Sequence, residues 1–174
     1  MPKISEKLKR INDTINAACA RAGREPDEVR LVVVTKSATI EAVKEVLQLG
    51  VTNLGENRVQ QLKKVAAQVE EFLQGPAGNP ALLKNIQWHM IGHLQRNKVR
   101  QVLPTVALIH SVDTLRLAEE INTAAAKLNL RPKVLLQVNT SDEPQKYGVP
   151  VGAATHLAEQ IETLPNIRFA GLMT

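Results

Sequence analysis

Four polar side chains stand at or near the ends of apolar runs in this 174-residue chain. Lys36 follows Leu31-Val32-Val33-Val34-Thr35, Asn57 follows Val51–Leu54, His89 lies within Ile86–Ile91, and Asn139 follows Lys133–Val138. Each has its own chemistry. An amine held against apolar walls loses hydration, its pKa falls, and the free base can attack a carbonyl, so Lys36 reads as a Schiff-base lysine. A solvated lysine opening a loop would fit the same hexapeptide. Asn57 reads either as a polar contact for a ligand or as a helix cap, since Asn is among the best N-caps. His89 reads either as a site residue or as a core histidine with satisfied nitrogens.

Other chemistries lack their residues. His89 and His93 straddle the break at Gly92, no cysteine pair exists, and no His/Glu cluster has metal-ligand spacing. No nucleophile-elbow pattern for a Ser-His-Asp triad is present, and the Asp142-Glu143 pair reads as a solvated loop.

The elements that must position these residues follow from periodicity. Ile4, Leu8, Ile11 and Ile15 predict an N-terminal helix over about 4–22, with Ser5 as N-cap and Gly23 as stop. Strands are predicted at Leu31–Thr35, Val51–Leu54, Ile86–Ile91, Val106–Ile109, Lys133–Val138 and Arg168–Met173. The unbroken apolar run of the first suits a strand covered on both faces, and Trp88 is expected to pack outward under a helix. Helical stripes separate the strands: Ile40–Leu49, Val59–Phe72, a short helix from about Asn97, Leu115–Leu128 capped by Asp113, and Ala154–Ile161. Six alternations of strand and helix without a hairpin signal predict an α/β fold with a parallel sheet. No GxGxxG follows any strand, which speaks against a dinucleotide-binding sheet. Polar residues gather at strand ends instead, as at the mouth of a (β/α) TIM-like barrel, where Lys36, Asn57, His89 and Asn139 would converge. A full barrel needs at least about 200 residues, so this single domain (1–174) reads as lacking the last two β/α units. Its first and sixth strands are then open edges that favour self-association.

Composition narrows the class. The net charge is +5, but the cations are scattered and aromatics make up 2%, leaving few stacking platforms, so nucleic acid is not expected as a partner. No apolar run approaches the roughly 20 residues that cross a bilayer, and no leader pattern opens the chain. A lone cysteine, Cys19, reads as a small buried filler and suits a reducing compartment; a cytoplasmic protein is expected.

Six short motifs in register carry a resemblance: Val34-Thr35-Lys36, Gly55-Glu56-Asn57, Trp88-His89-Met90-Ile91-Gly92, Leu94-Gln95-x-Asn97-Lys98, Gln137-Val138-Asn139 and Gly171-Leu172-Met173. From about Arg30 onward the chain resembles the pyridoxal-phosphate homeostasis family, itself similar to the barrel domain of alanine racemase, a fold-type III pyridoxal 5'-phosphate (PLP) barrel. The resemblance implies that Lys36 holds PLP as an internal aldimine. It also implies that Asn57 and His89 lie near the ring, that Met173 stands at the mouth, and that Lys146 is a second amine for cofactor exchange. It further implies a role in cofactor buffering or delivery without robust catalysis, with PLP-dependent apoenzymes as partners and a monomer or weak homodimer. A racemase or decarboxylase of low efficiency is the alternative. One departure is Thr35-Lys36-Ser37-Ala38, where many members continue with a further lysine or proline. The strands that hold the cofactor phosphate in the family have no counterpart here, so weaker PLP binding is expected.

Overall fold

The computed structural model describes residues 3–174. Its frame is a parallel sheet ordered β1 (Val33–Val34), β2 (Asn53–Glu56), β3 (Gln87–Met90), β4 (Val106–Val112), β5 (Lys133–Asn139), β7 (Arg168–Met173). A two-residue strand missed by pattern reading, β6 (Val149–Pro150), pairs beside the carboxyl end of β5. The connecting helices are α2 (Ile40–Gln48), α3 (Val59–Gln74), α4 (Val99–Val102), α5 (Leu115–Leu128) and α6 (Val151–Glu162), preceded by α1 (Ile4–Ala22).

Local chemistry explains the ends of these helices. Gly23 stops α1 at φ 63, a left-handed conformation that costs glycine little. Thr39 caps α2, its hydroxyl accepting from Ala42 N–H. Two expected caps are displaced. Ser5 lies inside α1, which begins at Ile4 after Lys3, and the cap of α5 is Thr114, accepting from Leu117 N–H at 3.2 Å. Asp113 instead pairs with His93 at 3.3 Å, so its carboxylate serves a tertiary contact.

The helices cover one face of the sheet only. Along β5, Val134, Leu136 and Val138 are buried, whereas Leu135, Gln137 and Asn139 are half-buried. The buried set joins one cluster with Leu62, Val65 and Val69 of α3, Leu117 and Ile121 of α5, and Leu157 and Ile161 of α6. Trp88 faces outward as expected, beside Ala66 and Val69 of α3. Each fully buried leucine or isoleucine at this seam contributes roughly 2 kcal/mol of transfer free energy. A doubly wound sheet would bury both faces, so one-sided cover is the arrangement of a (β/α) barrel wall. The wall is open: β1 and β7 are its two edges, with no pairing between them among the described residues. The first strand is therefore not covered on both faces as its composition suggested, and Val34 is 47% exposed on the inner face. No helix among the described residues is long and apolar enough to cross a membrane.

Candidate functional site

Lys36 is set by its neighbour. Thr35 is buried; its N–H donates to Gly55 C=O at 2.9 Å, and its hydroxyl meets the fully buried Glu56 carboxylate at 2.5 Å. The carbonyl of Thr35 then accepts from Ala38 N–H at 2.9 Å, which places Lys36 and Ser37 at the crest of a turn. On the next strand, Glu56 C=O accepts from Ile91 N–H at 2.9 Å, and Asn57 follows directly. Gly92 makes room for it: a Cβ there would stand 2.3 Å from Asn57 O and 2.7 Å from Asn57 Cα. Asn57 does not cap α3, whose first-turn cap position is Arg58 without a side-chain bond.

Lys36, Ser37, Asn57, Arg58 and Gln61 thereby line one cleft of about 300 Å³ at the carboxyl ends of β1 and β2. Lys36 is exposed and its companions are polar. The apolar walls expected around the amine are absent from this cleft, whose lining is polar.

His89 belongs to a different layer. It is 2% exposed, and both ring nitrogens are engaged: Nε2 lies 3.1 Å from Asn53 Oδ1 and Nδ1 lies 2.9 Å from His110 Nε2. With the Asn53 carbonyl as acceptor, Nε2 of His89 carries the proton and Nδ1 accepts from His110. Burial, then the neighbouring His110 and Arg30, push the His89 pKa down from 6.5 to about 4, and burial lowers that of His110. Both rings are neutral near pH 7. His89 thus fits the reading of a satisfied interior histidine and does not line the Lys36 cleft. The predicted strand Val106–Ile109 extends to Val112, so His110 lies within β4, beside an irregularity between Ile109 and Val112.

Met173 ends β7, opposite Gln137 of β5, on the edge farthest from β1 in strand order. Asn139 is turned to its own loop, Nδ2 donating to Glu143 C=O at 2.9 Å. Lys146 is paired with Glu143 in that loop, and the pairing lowers the Glu143 pKa. Of the expected residues, then, Lys36 and Asn57 share a cleft, whereas His89, Met173, Asn139 and Lys146 stand outside it. Arg58 and Gln61 were missed. Their signal was position: Arg58 directly follows Asn57, and Gln61 falls one helical turn after it.

A one-sided parallel barrel wall with a lysine just beyond β1 defines a class. The family profile described as the alanine racemase N-terminal domain matches residues 7–174. The pyridoxal phosphate homeostasis protein of Aquifex aeolicus is 36% identical over 169 residues, covering 97% of this chain and 69% of that protein. Its namesake in Escherichia coli is 34% identical over 173 residues, covering 99% and 70%. Among solved structures, PipY of Synechococcus elongatus with PLP bound superposes with a TM-score of 0.73 at 28% identity, covering 91% of this chain and 68% of PipY. The chain belongs to the pyridoxal phosphate homeostasis family.

Proposed function

We propose that this chain binds pyridoxal 5'-phosphate at Lys36 and serves to buffer or deliver it, without robust turnover of its own. The carrying observation is the joint placement of Lys36 and Asn57 in one polar cleft of a fold shared with PLP-bound PipY. The donor set fits the cofactor: a primary amine for an aldehyde, amides at Asn57 and Gln61 for ring substituents, and the Arg58 guanidinium for an anionic oxygen. When bound, PLP supplies an aldehyde that condenses with an amine and a ring that withdraws electrons. Thr35 and Glu56 hold the backbone from which Lys36 reaches the cleft. An open cleft at a strand end leaves a bound cofactor accessible to an acceptor, which suits delivery to PLP-dependent apoenzymes.

The case against robust catalysis is geometric. Racemisation needs proton donors on two faces of one carbon, and Lys36 supplies one. His89 has both nitrogens committed within the wall, so it offers no second base to this cleft. No observation favours the racemase or decarboxylase reading. We place the protein in the cytoplasm, as a monomer or weak homodimer acting on small molecules and protein acceptors rather than nucleic acid. The domain acts as one unit over 1–174, with Met173 as a cofactor contact at the mouth and Lys146 as a second amine for cofactor exchange.

The test is colour and mass. Purified protein given PLP is expected to absorb in the visible, and borohydride reduction is expected to leave a pyridoxyl mass on the peptide containing Lys36. Lys36→Ala should lose both. A substrate-derived adduct in place of the pyridoxyl group would point to aldolase-type chemistry. Rapid conversion of D- or L-alanine would end the carrier reading.

A further inference from the structure

Beside the Lys36 cleft lies a second one of about 340 Å³, walled by Asn57, Arg58, Val59, Gln60, His93, Gln95 and Lys98. The two share only Asn57 and Arg58. Nothing in the proposed role of Lys36 uses Gln95 or Lys98, although both belong to the Leu94-Gln95-x-Asn97-Lys98 motif.

The charge of this wall is one-sided. Arg58 and Lys98 bring two cations, and none of the lining residues is acidic. Asp113 does not line the cleft, and its carboxylate pairs with His93 Nδ1 at 3.3 Å. Tyr147 stacks on the same imidazole, ring centroids 4.1 Å apart and planes 13° off parallel. With one nitrogen and one face taken, His93 lines the cleft, and its Nε2 makes no hydrogen bond among the described residues. Gln60 and Gln95 add amide donors. Lys98 is half-buried and lines the cleft. Two cations, neutral donors and no acid in the lining match a dianion, and a phosphate monoester carries about −1.5 to −2 charges at neutral pH. The uncapped first turn of the sixteen-residue α3 opens at Arg58 and adds to the same sign of potential, without being needed for the assignment.

We infer that this Arg58–His93–Lys98 cleft is a second ligand site, taking the phosphate group of a phosphorylated small molecule or inorganic phosphate. It shares Arg58 with the Lys36 cleft, but neither the amine nor an aldehyde takes part, and Lys98 belongs to this cleft and not to the Lys36 cleft.

Titration calorimetry on the full chain with two probes tests it: inorganic phosphate, and pyridoxine 5'-phosphate, which carries the ester but no aldehyde. Saturable binding of at least one is expected at low ionic strength. Tighter binding of the ester identifies an organic phosphate as the ligand, and equal binding identifies the phosphate group alone. Lys98→Gln, which keeps most of the packed stem, and Arg58→Ala are each expected to weaken binding about tenfold or more, the worth of a charge-assisted hydrogen bond. Lys98→Arg should restore it. Lys36→Ala should leave it unchanged, even where PLP colour is lost. Absence of saturable binding by either probe, or full-strength binding in a folded Lys98→Gln protein, overturns the assignment.

Discussion

Replacing His89 with glutamine should flatten the acid side of the stability profile. The folded His89 titrates near 4 because it is buried beside His110, whereas an unfolded histidine titrates near 6.5. Between those values the unfolded chain binds the extra proton and the folded chain does not. Stability is therefore complete above about pH 6.5 and falls as pH drops through the window. Linkage with these two values gives a loss of about 2 kcal/mol near pH 5 and about 3 kcal/mol below pH 4, with His110 shifting in the same direction. The protein has one tryptophan, the buried Trp88 on the same strand, so its fluorescence in denaturant titrations reports the transition directly. Carboxylates also titrate below about pH 5, so the quantity to compare is the difference between wild type and His89→Gln from about pH 7.5 to 5. The variant should start lower, having disturbed the contacts to Asn53 and His110, and should lose less on acidification. Parallel profiles would refute the account of a histidine kept neutral by burial.

Three further outcomes are expected. Gly92→Ala forces a methyl against Asn57, and roughly 1–3 kcal/mol of destabilisation should accompany weaker PLP retention, read by denaturation and by absorbance after dialysis. Thr35→Val leaves the buried Glu56 carboxylate without its hydroxyl partner, so a cost of about 1–3 kcal/mol is expected in the same titration; a neutral result would mean that Glu56 finds another partner. Gly148 has φ 123, and a Cβ there would stand 2.6 Å from Asn139 N; Gly148→Ala should detach β6 and speed proteolysis between residues 140 and 148 without unfolding the rest.

Much of the architecture was readable because strand and helix periodicities differ. The Ile4–Ala22 helix and the Arg168–Met173 strand fell where the pattern put them. Less visible was what depends on partners distant in sequence. The first strand illustrates this: Leu31–Val34 is apolar throughout, yet two of its residues make the strand and Val34 is open to solvent. Periodicity reports which residues can be buried, and the neighbouring strand decides which are. Asp113 and Thr114 are adjacent good caps, and only the tertiary pull of His93 separates their roles. The Lys36–Asn57 pairing was legible because parallel strands bring successive carboxyl ends together. The His89–His110 bond was not, since it depends on the register of β3 against β4, where a shift between Trp88 and His89 sets His89 opposite Leu108 and leaves no mark in the residue pattern.

The helices' confinement to one side of the sheet has an evolutionary consequence. What holds the molecule together and what faces the concave side are written on alternate residues of the same strands. Leu136 and Val138 answer to the fold, whereas Leu135 and Gln137 are at liberty to change. A lineage can therefore retune the concave side one substitution at a time while the scaffold stays as it was.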